Sequence, residues 1–253
     1  MKSIYIAKIL ILLISINFVI YGNTYQQINK EIPLKQSSLS ENKNIELVIA
    51  KSLEDQRANL NNTVIKAQNR IREFAKKNNW ESLVQESFID KVMIFDSKAN
   101  FDKTLLEITN SDPNIKLPLT YCAALENRIL LVVSPQIYAE VYPEGIEKDS
   151  YEKLLAHEIA HRLHVRILDG NEEAMGPVWF FEGFALYAAD QFKNSNLSLK
   201  AKEISEIIES PERGSYVKYA WIYRYFVNKA PLKELLKKAG EQDFTQWLHN
   251  LEK

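Results

Sequence analysis

The residues of this chain best suited to chemistry are His157, Glu158 and His161, in the run His157-Glu158-Ile159-Ala160-His161. On a helix, positions i and i+4 share a face and lie roughly 6 Å apart. Two imidazoles at that spacing can grip one Zn²⁺, and the acid between them can reach a water at the ion. The chain has 4 histidines, so this pair takes half of them. Zinc draws the pKa of a bound water toward ~7. Glu158 lies about 100° round the helix from His157, close to the ligand face. There it can take the water proton as general base and later pass it to a leaving amine.

Two histidines do not complete a catalytic zinc site, which uses three protein ligands and an open position. The third ligand must come from elsewhere, and Glu182 is the strongest candidate. It lies in Pro177-Val178-Trp179-Phe180-Phe181-Glu182-Gly183-Phe184-Ala185, near the start of a second predicted helix. A short loop between two helices could bring it to the ion. Asp169, Glu172 and Glu173 are rivals, but they fall in the intervening loop, which orients them less. Glu182 can also be read as an acid in a first helical turn, complementing the helix dipole. His164 shares the face of His157 and His161. A ligand three residues after His161 fits poorly around one tetrahedral ion, so His164 reads as a packing residue or a support for the ligands.

The spacing His-Glu-x-x-His, a loop of about 20 residues, then Trp-x-x-Glu-Gly-x-Ala resembles the gluzincin zinc metallopeptidases. The Trp179-Phe180-Phe181-Glu182-Gly183 form is similar to the peptidase MA-like branch and the clostridial collagenases. The resemblance covers about residues 150–190. It implies a zincin-like fold, Zn²⁺ as cofactor, His157, His161 and Glu182 as ligands, and Glu158 as general base. It further implies that a peptide or protein substrate is hydrolysed by zinc-activated water. Two departures stand out. Many relatives carry an acid four residues after the ligand Glu, where this chain has Leu186, so Asp190 is a candidate to orient a zinc histidine instead. Arg162 stands where relatives have an uncharged residue, and it reads as solvent-facing. Gluzincins often set a Tyr near the substrate carbonyl, and Tyr216, after Gly214-Ser215, most resembles that place. Tyr216, Tyr219 and Tyr223 also share one helix face and read as an aromatic core stripe. No Gly-x-Met-Glu-Asn segment, which related aminopeptidases use to hold a free amine, precedes His157, and this favours an endopeptidase. The other reading is a weak or inactive zinc-stabilised envelope protein with a binding or assembly role, motivated by the missing acid.

The elements that position these residues follow from hydrophobic period. Residues 45–77 read as a helix through Leu47, Ala50, Leu53, Val64, Ile71 and Phe74. Residues 91–95 read as a buried strand, and Asp96 or Ser97 caps a short helix carrying Phe101, Leu105 and Leu106. Residues 121–124 and 128–133 read as an antiparallel hairpin, the second strand being a candidate edge for an added substrate strand. Asp149 or Ser150 caps the motif helix, which runs to about Leu168. Pro177 starts the next, to about Phe192. Weaker helices follow near 199–209, 215–229, 232–239 and 243–251. The expected class is α+β: a small mixed or antiparallel sheet lobe (45–150), then a mainly helical lobe (151–253), with the active-site helix between them.

Composition bounds the rest. At 253 residues, 46% hydrophobic and 26% charged, the chain suits a globular domain. A net charge of −1 gives no basic surface for nucleic acid. The lone Cys122 excludes an internal disulfide framework. Lys2 and Lys8 precede an apolar run from Ile9 to Ile20, so residues 1–22 read as a signal peptide or an uncleaved N-terminal anchor. Residues 23–44 read as a polar linker. The chain is expected to be exported, secreted or periplasmic, with membrane association through that segment left open.

Overall fold

The computed structural model describes residues 45–252. The proposed signal or anchor, 1–22, and the linker, 23–44, lie outside the described residues. The architecture is α+β: a mixed four-stranded sheet is followed by a mainly helical region.

The sheet is built from β1 (Glu46–Ile49), β2 (Lys91–Phe95), β3 (Ala123–Glu126) and β4 (Ile129–Val133), in the order β1-β2-β4-β3. The first pairs, β1-β2 and β2-β4, are parallel, and β3-β4 is antiparallel. The chain crosses from β1 to β2 through a long helix, α1 (Arg57–Lys77). The helix α2 (Lys98–Ile108) follows β2, with the Ser97 hydroxyl accepting from the Asn100 N–H at its N-terminus, as expected. Asn127 and Arg128 close the β3-β4 hairpin with φ of 48° and 64°. A two-residue turn of type I′, one of those matched to strand twist, has positive φ at both central positions.

Two expectations change here. Glu46–Ile49 is a strand rather than the start of the first helix, because its backbone pairs with β2. Leu47, Ala50 and Leu53 fit a helical period equally well, so the pattern did not mark the break. The strand β4 is not an edge: β2 flanks one side and β3 the other, so β3 carries the free edge nearest the helical region. A helix not anticipated, α3 (Pro135–Val141), follows β4. Its start carries the usual signals, Ser134 accepting from the Ile137 N–H and Pro135 in the first turn.

Alternating residues of the sheet feed two cores. Leu130 and Val132 of β4 join Val92, Ile94, Ala123 and Leu125 in the main core beneath the helices. Leu131 and Val133 join Ala124, Cys122, Phe101, Leu105 and Tyr138 on the other face. Period-two burial on both faces is the mark of a strand covered on each side.

The helical region comprises α4 (Ser150–Ile167), α5 (Val178–Ala188), α6 (Ala201–Glu209), α7 (Tyr216–Val227), α8 (Leu232–Lys238) and α9 (Phe244–Glu252). Asp149 precedes α4 at φ 60° and makes no side-chain cap. Pro177 is the residue before α5 rather than inside it, and α5 stops at Ala188, short of the expected end. The helix α4 is the hub. It packs on α1, α5 and β3, burying Leu155, Ala156, Ile159, Ala160 and Leu163 completely. Arg70 of α1 donates to Glu152 at 2.9 Å. At the far end, Arg166 donates to the carbonyls of Leu83, Glu86 and Ser87 and stacks 3.9 Å from the Phe88 ring. Gly183 governs the approach of α5 to α7, since a Cβ there would lie 2.7–3.1 Å from the Tyr223 ring and its Cβ. Among the described residues, no helix is long and apolar enough to cross a membrane.

Candidate metal centre

The helix α4 sets His157 and His161 one turn apart, and α5, packed on α4, brings Glu182 to them. His157 Nε2 lies 3.1 Å from His161 Nε2 and 3.1 Å from Glu182 Oε2. His161 Nε2 lies 3.6 Å from the same carboxylate oxygen. His157 and Glu182 are buried, at 5% and 3% exposure, while His161 is partly open. Three atoms bearing lone pairs repel one another at such range unless a proton or cation sits among them. Tetrahedral coordination with bonds of about 2.0–2.1 Å separates neighbouring donors by about 3.3 Å. The observed triangle matches that spacing. Two imidazoles and one carboxylate suit zinc and other nitrogen-seeking ions better than Mg²⁺ or Ca²⁺. The group is thus one that could hold a metal ion.

Two partners that the sequence did not reveal hold these side chains. Gln191 Oε1 lies 2.9 Å from His157 Nδ1. With that oxygen as acceptor, Nδ1 carries the ring proton and Nε2 keeps its lone pair for a metal. Gln191 stands next to the anticipated Asp190, which instead faces Lys193 at 3.4 Å. Leu186 lies wholly in the core. Arg213, in the segment before α7, donates from Nη1 to Glu182 Oε1 at 2.6 Å and also meets the Tyr216 hydroxyl. The two oxygens of Glu182 are therefore divided: Oε1 faces Arg213 and Oε2 faces the histidines. Burial alone pushes the Glu182 carboxyl up, but the Arg213 guanidinium and the imidazole hydrogen bonds outweigh it and hold the group well below the usual carboxylate range. Burial opposes charge on His157, yet the hydrogen bond and charge of Glu182 raise it above its ordinary value.

Glu158 is half-buried on the same helix. Burial raises its carboxyl above the ordinary value, opposed by the charges of His157 and His161. Tyr216 joins the site, its ring 5.9 Å from that of His157. Its two stripe-mates separate from it. Tyr219 bonds the loop backbone, its O–H donating to the Glu212 carbonyl, and Tyr223 packs among Phe180, Phe184 and Tyr187. The stripe is thus core at two positions and site at the third. Phe181 sets its ring 5.9 Å from that of His161.

The rival acids stand apart from the triangle. Glu172 faces Arg162 at 3.5 Å, so Arg162 is paired rather than simply solvent-facing. Asp169 and Glu173 are not among the grouped ligand atoms. His164 is a core residue: it is fully buried, its ring 4.4 Å from that of Phe184, and among the described residues neither ring nitrogen has a hydrogen-bond partner. Burial holds its imidazole down to about 3. Glu126, the last residue of β3, feels the charges of Arg162, Glu172 and Glu158, and burial raises its carboxyl to about 7. Comparison of the chain with protein-family models, with curated proteins and with solved structures found no match.

Proposed function

We propose that this chain is an exported zinc-dependent metallopeptidase of gluzincin type that hydrolyses peptide bonds. The observation that carries the reading is the donor triangle of His157, His161 and Glu182, with the half-buried Glu158 on the same helix. A purely structural ion has no need of a further acid on the helix that carries its ligands. Bound by these three ligands, Zn²⁺ supplies a Lewis acid that polarises a carbonyl and acidifies water.

The chain's own residues supply the rest. Gln191 keeps the His157 ring in the tautomer that leaves Nε2 free. Glu158 takes the proton of the attacking water and returns it to the departing amine. Tyr216, backed by Arg213, is the candidate donor to the developing oxyanion. Extended substrate can add to the free edge of β3, which packs on the motif helix. The missing acid near Leu186 motivates an inactive binding protein; Gln191, at His157 Nδ1, supports the catalytic reading by orienting that ring instead.

Endopeptidase activity is the first reading, since Gly-x-Met-Glu-Asn is absent. One observation favours an aminopeptidase as the second. Ala123-Ala124-Leu125-Glu126-Asn127 keeps the last two residues of that segment, and Glu126 ends the strand nearest the site. A carboxylate there could hold a free amine.

Metal analysis of the purified chain and digestion of a peptide library test the reading. Stoichiometric zinc, with cleavage abolished by chelator and by Glu158→Gln, is the expected result. Proteolysis that survives Glu158→Gln would sink it. N-acetylated peptides separate the two modes, because an aminopeptidase leaves them intact. Export is checked by sequencing the N-terminus of the protein recovered outside the cytoplasm.

A further inference from the structure

We infer that Arg213 is a positioning residue for the metal ligand Glu182, and that Tyr219 holds the loop that presents it. The inference rests on the metal-site reading and adds two residues outside the ligand set. Glu182 is 3% exposed, so its two oxygens need defined partners. A buried carboxylate with both oxygens free could turn, or offer both to one ion. Arg213 Nη1 takes Oε1 at 2.6 Å, and Oε2 alone then faces the imidazoles. An arginine suits this task because its guanidinium stays charged and directs its donors in a fixed plane.

Arg213 sits in the irregular segment between α6 and α7, which by itself would hold a long side chain loosely. The buried hydroxyl of Tyr219 removes that freedom. It accepts from the Gly214 N–H and donates to the Glu212 carbonyl at 3.1 Å, bracketing Arg213 on both sides. Gly214 is close to this hydroxyl, since a Cβ there would approach it to 3.1 Å. A line of contacts therefore runs from the Tyr219 hydroxyl through the 212–214 backbone to Arg213 and Glu182.

The test is zinc affinity of the metal-free full chain, measured by competition with a chromogenic chelator. Wild type, Arg213→Ala, Arg213→Lys and Tyr219→Phe are compared, with melting of each metal-free protein as the control for folding. Loss of a residue that orients a ligand commonly costs 10–100-fold in metal affinity. Arg213→Ala is expected to lose that much, and free guanidinium ion to recover part of it. Arg213→Lys is expected to fall between, and Tyr219→Phe to lose less than Arg213→Ala. Co²⁺ provides a readout that a fold defect does not imitate. With Oε1 released, Glu182 can chelate through both oxygens, and the weaker visible absorption of a higher-coordinate Co²⁺ should appear in Arg213→Ala. Wild-type zinc affinity and an unchanged Co²⁺ spectrum in Arg213→Ala overturn the role of Arg213 and leave the metal site standing. Undiminished affinity in Tyr219→Phe overturns the role of Tyr219. A wild-type chain that takes up no divalent metal overturns both this inference and the reading on which it rests.

Discussion

Two stretches of one helix treat histidine in opposite ways. At the His157 end of α4, polar atoms are buried but partnered: Gln191 holds one ring nitrogen, Glu182 faces the other, and Arg213 holds Glu182. At His164, seven residues on, the ring is also buried, packed against Phe180 and Phe184, and among the described residues both nitrogens lack partners. An unpartnered buried polar atom costs roughly 1–3 kcal/mol, whereas a partnered one is close to neutral. The same residue type is thus a candidate ligand in one place and an aromatic filler in the other. Surroundings decide the chemistry, and the helical period brings both to the same face.

The sharpest way to break this contrast is at Glu158, the acid beside the partnered cluster. Glu158→Gln should keep zinc and lower peptide hydrolysis by about 10²–10⁴-fold, the usual worth of a positioned base. Turnover of a fluorogenic peptide, read alongside metal content, checks it.

Removing a partner should make His157 resemble His164. Gln191→Leu leaves the His157 Nδ1 proton unpaired, and zinc affinity is expected to fall about 10–100-fold. Chelator competition measures the fall, and unchanged affinity contradicts the tautomer argument.

His164 offers the reverse test. Its pKa is held at about 3, below the unfolded value, so the unfolded chain binds more protons between those limits. Stability is full above pH ~6.5 and declines as pH drops, by about 2 kcal/mol at pH 5. His164→Leu should flatten this acid limb while changing stability by less than about 1.5 kcal/mol at pH 8. Urea unfolding at a series of pH values decides it.

The smallest effect is expected at Glu126, and its sign is opposite. Burial raises its carboxyl to about 7, so the folded chain binds the extra proton and stability declines as pH rises from ~4.5 to ~7. Allowing for solvent screening, Glu126→Gln should stabilise the protein by about 1–2 kcal/mol above pH 7. Thermal melts at pH 5 and pH 8 reveal whether the gain is confined to the higher pH.

Much of the site is legible in the sequence because it is local. The period of α4 is enough to place His157 and His161 together, and the helix after Pro177 brings Glu182 within reach. Gln191 and Arg213 are not legible, because 34 and 31 residues separate them from the groups they hold, and only tertiary packing brings them near. The strand Glu46–Ile49 was hidden for a related reason. Its four residues carry no signal that outweighs the helical pattern following them, and its identity comes from the parallel partner β2. Strand order is equally silent: the hairpin pattern joins β3 to β4 but says nothing of β2 on the far side, so it does not show that β3 rather than β4 is the edge. Ser134-Pro135, by contrast, carries an ordinary helix-start signal, although α3 was not anticipated from it.

Gly183 brings no atom to the metal group, yet its lack of a side chain lets α5 lie against Tyr223 and carries the preceding residue, Glu182, to the histidines. Even alanine would force the two helices apart, since the nearest obstacle includes the Tyr223 Cβ rather than only a flexible tip. In an unbiased genetic screen for loss of function, position 183 should therefore score beside His157, His161 and Glu182 themselves. A survey that ranked positions by chemistry alone would pass over it.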